Sequence, residues 1–278
     1  MNREYGFDGT ILRFDDVNIA FGENVVLRGV NYEIKNIVRP GMEQGQVVAL
    51  LGPSGIGKTQ LFRLAAGLEI PDATITGSVV IGDEQKVPVR AGIVGVVAQS
   101  YPLFMHRKVL DNLVVAGRRA GLSVKAAKEK AMALLEGFGL RDRYDHWPAQ
   151  LSGGQCQRVA IAQQLMCSEH VVLMDEPFSG LDPLMVDKVV ALIQEISLLN
   201  EFNTTVVVTH EISAAVAVAD HIIVLGRDRD GEGNFIPGAY IKHEFNLIDM
   251  GLAWEPDIRR LPKFATFCTE LRDLFKEL

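Results

Sequence analysis

The segment that most constrains the fold is an apolar run, VVALL at residues 47–51. A glycine-rich turn that contains a lysine follows it directly. The spacing of the apolar residues in QLFRLAAGL, residues 60–68, predicts that a helix follows the turn. A buried strand, a turn of the form GxxxxGK[ST] and a helix are the context in which this motif cradles phosphate groups. The residues of the turn are Gly52, Pro53, Ser54, Gly55, Ile56, Gly57, Lys58 and Thr59.

The residue types in this turn suit the binding of a nucleoside triphosphate. Glycines let successive backbone N–H groups point at phosphate oxygens, and the following helix adds the positive end of its dipole. We expect Lys58 to reach the β- and γ-phosphates and the Thr59 hydroxyl to ligate Mg²⁺, and we place Gln60 in the same ATP-binding set. The alternative, a chance glycine turn, explains neither the flanking strand nor the helix.

A second apolar run, VVLM at residues 171–174, ends in two carboxylates, Asp175 and Glu176. Open α/β sheets bind ligands at the carboxyl ends of their strands. Because adjacent strand residues point to opposite faces, we expect the two carboxylates to have different tasks. Asp175 is expected to serve the metal, mostly through water, and Glu176 to orient the attacking water or take its proton.

The remaining pattern predicts an α/β protein. Residues 10–34 predict antiparallel strands, 36–46 a loop, and 109–138 helices, with Ser123 as a helix N-cap. Asp182-Pro183 predicts another helix start, and TVVVT at 205–209 another buried strand. A polar turn, a short strand at 239–245 and one or two amphipathic helices at 256–278 are expected at the end of the sequence.

Composition excludes several classes of function. The chain has 278 residues, a net charge of −7 and scattered lysines and arginines, which disfavours nucleic acid as its main partner. Its three cysteines fit neither a disulfide framework nor a zinc site, and the sequence shows neither a signal peptide nor a membrane span. We therefore expect reduced thiols in a cytosolic protein, and a partner that supplies any membrane part.

The segment LSGGQ indicates which class of phosphate-binding protein this chain resembles. It consists of Leu151, Ser152, Gly153, Gly154 and Gln155, and it precedes the Asp-Glu strand by one helix and a turn. Together with the phosphate-binding turn it resembles the ATP-binding cassette (ABC) family, over residues 10–226. The resemblance implies a head-to-tail dimer in which LSGGQ contacts the ATP held by the opposing subunit. Ser152 is also a good N-cap, which leaves N–H groups around the two glycines for an anion.

Four further positions match that family in order. Gln99 resembles the glutamine that touches Mg²⁺ and the attacking water, which adds it to the metal set of Thr59 and Asp175. Asp182, in SGLD, resembles the D-loop aspartate at the dimer contact, and His210 resembles the switch histidine that bonds the γ-phosphate. Phe21 stands where the family stacks an aromatic ring on adenine, although a phenylalanine packed in the core is a common alternative. The other five histidines match nothing and are expected at the surface.

The resemblance implies an α/β fold with a RecA-like P-loop NTPase core, an N-terminal antiparallel β-subdomain and an inserted helical subdomain. We expect the nucleotide-binding domain to span residues 1–226, with the core and β-subdomain at 1–102 and 166–226 and the helical subdomain at 103–165. Residues 227–278 carry no family motif and are expected to form a short C-terminal extension packed on the domain.

The resemblance also implies a function: hydrolysis of MgATP to power an ABC transporter. We expect an importer of a small solute, such as an anion or a polar amino acid. The expected partners are a second copy or a paralogous cassette, an integral membrane permease and, indirectly, a periplasmic binding protein. The expected location is cytoplasmic, peripheral on the inner face of the cell membrane, and no nucleic acid partner is expected.

The sequence also allows other functions. An exporter or lipid-extrusion motor shares the fold, and a soluble cassette could act on ribosomes or DNA, whereas a P-loop kinase leaves LSGGQ unexplained. The apolar residues Tyr101, Leu103 and Phe104 are candidates for contact with a permease, and equally for packing of the helical subdomain on the core.

Overall fold

A computed structural model describes residues 4–41, 45–82, 87–97, 103–167, 171–198, 204–255 and 257–278. These ranges contain ten strands and seven α-helices. In chain order the elements are β1 (Gly6–Phe21), β2 (Asn24–Val38), β3 (Gln46–Leu51), α1 (Lys58–Ala65), β4 (Thr74–Ile81), β5 (Val87–Pro88), β6 (Gly95–Val97), α2 (Val109–Arg119), α3 (Val124–Gly137), α4 (Gly153–Leu165), β7 (Val171–Asp175), α5 (Pro183–Ser197), β8 (Thr204–Thr209), α6 (Ile212–Val218), β9 (His221–Gly226), β10 (Tyr240–Asn246) and α7 (Pro262–Leu274).

The first sheet is antiparallel and has the order β2-β1-β4-β5. Its long hairpin, β1 and β2, turns at Gly22 and Glu23, and Gly22 takes a φ of 58° that suits glycine. The predicted antiparallel strands are thus confirmed. The loop predicted from residue 36 was wrong for its first three residues, because β2 continues to Val38 and pairs there with the start of β1.

The second sheet has the order β10-β9-β3-β8-β7-β6, and all of its strands are parallel except β10, which runs antiparallel to β9. The central strand, β3, is buried at every residue. Val47, Ala49 and Leu51 face one hydrophobic cluster, and Val48 and Leu50 face another, so the sheet is covered on both faces. A strand buried in this way needs a continuous apolar run, which is what VVALL supplies.

The two helix starts predicted from capping residues are confirmed. Ser123 caps α3 by accepting a hydrogen bond from the N–H of Ala126, and Asp182 caps α5, whose first residue is Pro183. The helices α2, α3 and α4 pack on one another between β6 and β7 of the chain. None of the helices that the structure describes has the length and apolar character needed to cross a membrane.

The segment after β9 is built into the same fold. The predicted strand at 239–245 is β10, which extends the main sheet, and the predicted C-terminal helix is α7, preceded by a 3₁₀ turn at residues 258–260. His221, expected at the surface, was predicted wrongly because it is buried at the start of β9. Cys156 and Cys167 are half-buried and Cys268 is buried, and burial raises the pKa of all three thiols.

Candidate nucleotide-binding site

The glycine-rich turn joins β3 to α1 at the carboxyl edge of the main sheet. Gly55 and Gly57 have φ angles of 78° and 112°, in the region that favours glycine. A Cβ placed on Gly57 would lie 2.8 Å from Leu27 Cδ2, so the turn packs tightly under β2. Ile56 is buried and anchors the turn in the core, whereas Ser54 and Thr59 are exposed. The backbone N–H groups of the turn therefore sit on a fixed base at an open surface.

Lys58 is buried at the foot of this turn. Its Nζ donates hydrogen bonds to the carbonyl oxygens of Gly52 at 2.7 Å and Pro53 at 3.1 Å. Burial lowers the pKa of Lys58, and the nearby charges of Glu176 and Asp175 act in the opposite direction. The ammonium group is thus held between the turn and two carboxylates, where a bound phosphate would add a further negative partner.

The two carboxylates at the end of β7 are separated by the backbone. The strand ends at Asp175, and Glu176 takes a left-handed φ of 47° while its N–H donates to the carbonyl of Val208 at 2.8 Å. Strand alternation, which we used to separate their tasks, therefore does not apply to Glu176, because that residue lies beyond the strand. A positive φ at a glutamate is uncommon and holds the side chain in a direction that a strand would not give it.

Asp175 offers a site for a divalent cation. Its Oδ1 is buried and has no hydrogen-bond partner, and burial, followed by the charge of Glu176, raises the pKa of the carboxyl group. Among the described residues no cluster of three or more histidine, cysteine, aspartate or glutamate side chains forms a complete metal cage. One carboxylate and the Thr59 hydroxyl fit Mg²⁺ well, because Mg²⁺ takes most of its ligands from substrate phosphates and water.

Glu176 is held by residues at the end of β8. Its Oε2 accepts a hydrogen bond from the Thr209 hydroxyl at 3.1 Å and lies 2.9 Å from His210 Nδ1. Its Oε1 lies 3.9 Å from Lys58 Nζ. Thr209 was missed by sequence reasoning, although it ends the predicted strand TVVVT directly before His210. The structure thus brings Lys58, Glu176 and His210 together at one edge of the sheet.

LSGGQ forms the start of α4. The Ser152 hydroxyl accepts from the Gln155 N–H at 3.3 Å, and Gln155 Oε1 accepts from the Ser152 N–H at 2.9 Å, which is a capping box. Gly153 and Gly154 are exposed, and a Cβ on either would meet no atom within 4 Å. Packing within this chain therefore does not require glycine at these two positions, which leaves the helix end open to a group from outside the chain.

Phe21, Asp182 and Gln60 are three further predicted site residues that the structure describes. Phe21, at the end of β1, is half-buried and packs on the cluster that contains Leu50 and Ile56. Asp182 is exposed and accepts hydrogen bonds from the N–H groups of Leu184 and Met185. Gln60 is half-buried and its Oε1 has no hydrogen-bond partner. Gln99 and Tyr101 lie outside the described residues.

A known sequence family matches the segment that contains most of these residues. The profile of the ABC transporter family matches residues 36–179, which is more than half of the chain and contains the glycine-rich turn, LSGGQ and both carboxylates. The chain belongs to the ABC transporter family. It is therefore an ATP-binding subunit whose ATP hydrolysis is coupled to transport, and the resemblance inferred from its motifs is confirmed.

The relatives of this chain include ATP-binding proteins whose names give different imported solutes. The L-cystine import ATP-binding protein TcyC of Bacillus subtilis is 39% identical over 77% of this chain and 86% of its own length. The Fe(3+) ions import ATP-binding protein FbpC of Rhizobium etli is 40% identical over 79% of this chain and 58% of its own length.

A solved structure confirms the predicted fold class of this ABC ATPase. The structure of cbiO1 from Clostridium perfringens, described as part of the ABC transporter complex cbiONQ, aligns with a TM-score of 0.68. The alignment covers 94% of this chain and 99% of that one at 24% sequence identity, a level at which only the fold is compared. The α/β core, the antiparallel sheet and the helices are those of an ABC cassette.

Proposed function

We propose that this ABC ATPase powers an importer of a small polar solute, with a polar amino acid as the leading candidate and a small anion as the second. The two relatives above are equally similar in sequence although their names give chemically different cargoes, so cassette sequence alone does not separate cargoes. The amino-acid relative is matched over most of its length and the iron relative over little more than half, which favours the former.

The observation that carries the chemical part of the proposal is the position of Glu176. Its carboxylate is fixed by Thr209 and His210 and lies beside Lys58, so one oxygen can accept a proton from a water molecule aimed at the γ-phosphate. His210 would hold the γ-phosphate from the other side. In this arrangement Glu176, His210 and Gln99 form the catalytic set.

Mg²⁺ would be held by Thr59, Asp175 and Gln99, and when bound it neutralises charge on the β- and γ-phosphates. Lys58 and the backbone of the turn bind the same phosphates, while Phe21 would stack on adenine. The unpaired, buried Oδ1 of Asp175 supports the metal assignment, because a buried carboxylate oxygen is stabilised by a cationic partner.

A second cassette would complete each site. The exposed glycines of LSGGQ support a contact with ATP bound by the opposing subunit, in a head-to-tail dimer of two copies or of two paralogous cassettes. Asp182 would lie at the same interface. Hydrolysis removes the γ-phosphate that joins the subunits, and the resulting opening would drive an integral membrane permease.

The permease is expected to dock on the helical part of residues 103–165, where Phe104 is 43% exposed and Leu103 is half-buried. The remaining division of the chain, into a nucleotide-binding domain at 1–226 and an extension at 227–278, is part of the same proposal. The protein would act on the cytoplasmic face of the cell membrane, with a periplasmic binding protein as an indirect partner.

The substitution Glu176→Gln tests this function. It keeps the shape of the side chain but removes the base, and loss of a general base costs about 10²- to 10⁴-fold in rate. We expect the variant to bind MgATP and to form a stable ATP-dependent dimer on a sizing column, with phosphate release close to zero. Glu270→Gln, on the exposed face of α7, is the matched control and should behave as the unmodified protein does.

Two outcomes would contradict the proposal at different levels. A Glu176→Gln variant that hydrolyses ATP at the normal rate would show that another group activates the water. Native protein that sediments with ribosomes and not with membranes would refute the importer while leaving the ATPase intact.

A further inference from the structure

A buried polar cluster lies at the end of the main sheet opposite the glycine-rich turn. It joins the two parts of the chain for which the family motifs give no role, the segment after β2 and the segment after β10. Its side chains are Arg39, Asp220 and Trp254, and its backbone groups belong to Gly45 and Val47.

Asp220 is the centre of this cluster and is almost fully buried. Its carboxylate accepts a hydrogen bond from the N–H of Val47 at 2.6 Å and another from the indole N–H of Trp254. Its backbone N–H donates to the carbonyl of Val47 at 2.8 Å, and its carbonyl accepts from Leu247 at 2.9 Å. Asp220 is therefore fixed to the start of β3 and to the chain after β10 at the same time.

Arg39 supplies the opposite charge. Its side chain is 2% exposed, its Nη2 lies 3.8 Å from Asp220 Oδ2 and donates to the carbonyl of Gly45 at 2.9 Å. The guanidinium carbon lies 4.2 Å from the ring centroid of Trp254, a cation–π distance. A buried charge is tolerated only with such partners, so the indole ring stabilises the cation and its N–H stabilises the anion.

Trp254 occupies this position against its backbone preference. Its φ of 60° lies in the left-handed region, which costs a bulky residue of the order of 1–2 kcal/mol. Such strain persists only where the surroundings hold the residue in place. The contacts of the indole with Asp220 and Arg39 are the interactions that the strained backbone makes possible.

The cluster is connected to the nucleotide site through α6. This helix begins at Ile212, two residues after His210, and ends at Val218, two residues before Asp220. It has seven residues, so its length is about 10 Å. It is buried between the main sheet, α5 and α7. Because α6 is short and packed along its length, we expect a shift of the chain at Asp220 to be transmitted through it towards His210.

We infer that Trp254 is a positioning residue for ATP hydrolysis: by holding Asp220 it fixes the far end of α6 and thereby the distance between His210 and Glu176. The inference rests on the proposed role of His210. The segment after β10 would then contribute to ATP hydrolysis from a site remote from the nucleotide.

The test compares Trp254→Phe with a control in the same C-terminal segment. Trp254→Phe keeps an aromatic ring over Arg39 and removes the N–H donor to Asp220. Phe267→Leu, on α7, truncates a buried ring that packs 5.2 Å from Phe245, outside the cluster. Both variants should lower the melting temperature, but only Trp254→Phe removes a hydrogen bond to Asp220.

We expect Trp254→Phe to lower kcat for ATP hydrolysis by about tenfold, since small misplacements of reacting groups are costly, with KM for ATP changed less than twofold. The imidazole resonances of His210 should also move in Trp254→Phe and stay in place in Phe267→Leu. Trp254→His, which restores a ring N–H donor, should recover part of kcat and also serves if the phenylalanine variant folds poorly.

Equal losses of kcat in Trp254→Phe and in Phe267→Leu at equal melting temperature would overturn the inference, as would unchanged His210 resonances. His210→Ala separates this failure from failure of the proposed function. If His210→Ala hydrolyses ATP normally, the role of His210 is wrong and the inference falls with it. If it is inactive while Trp254→Phe is normal, only the positioning role is wrong.

Discussion

The environment of Asp220 predicts a measurable dependence of stability on pH. Burial raises the pKa of this carboxyl group from 3.8 to about 6, although Arg39 and the N–H groups of Val47 and Trp254 act to lower it. Because the folded pKa lies above the unfolded value, the proton binds the folded state more tightly. The resulting stabilisation is complete below pH 3.8 and is lost as the pH rises through about 6.

The magnitude follows from the two pKa values. With 3.8 unfolded and about 6 folded, Asp220 adds about 1.3 kcal/mol to the free energy of unfolding when the pH falls from 7 to 5. Other groups titrate over the same range, so the measurement is a difference between the protein and Asp220→Asn, whose amide keeps the shape and does not ionise. Urea unfolding of both proteins at pH 5, 6 and 7 gives that difference.

We subtract the free energy of unfolding of Asp220→Asn from that of the unmodified protein. We expect this difference to increase by about 1.3 kcal/mol when the pH falls from 7 to 5. The comparison is independent of how much the substitution itself costs, because that cost is common to every pH. A difference that does not change with pH would refute the reasoning. It would mean that Arg39 and the two N–H donors keep the carboxylate ionised throughout the range.

Two further substitutions test the nucleotide site. Lys58→Ala should weaken ATP binding by about 10- to 100-fold, because the phosphates lose a charge-assisted partner, and titration with a fluorescent ATP analogue measures the change. An unchanged affinity would remove Lys58 from the site. Gly153→Asp should fold normally, since a Cβ there meets no atom within 4 Å, and should bind ATP, yet fail to dimerise on a sizing column because its carboxylate opposes the γ-phosphate. Normal ATP-dependent dimerisation of this variant would show that LSGGQ is not a contact between subunits.

Local patterns predicted β3, β7 and β8 of the main sheet because these strands are continuous apolar runs. VVALL, VVLM and TVVVT all lie in buried parallel strands, and each run ends where the chain turns at the nucleotide edge. The order of these strands could not be predicted in the same way. The strand β3 pairs with β8 and β9, whose residues are far away in the sequence, and no local pattern records such a pairing.

The parts of the candidate site that consist of neighbouring residues could be predicted from the sequence. The parts that depend on backbone conformation were harder to predict. The turn around Lys58 and the cap at Ser152 are local motifs, so their form was predicted. The direction of Glu176 depends on a left-handed backbone after the strand, which strand alternation does not describe. The cluster of Asp220 and Trp254 joins residues from separate elements, and neither residue stands in a motif. The roles of Gln99 and Phe21 stay predictions.

The cysteine environments have a practical consequence for labelling experiments on the proposed dimer. Thiol reagents attack the thiolate, and burial raises the pKa of Cys156, Cys167 and Cys268, so these side chains remain largely protonated and slow to react at neutral pH. Gly231 is exposed, and a Cβ there meets no atom within 4 Å. A cysteine introduced at Gly231 would therefore accept a spin label or a dye faster than the three native thiols. The native cysteines can then stay in place when distances are measured across the proposed dimer.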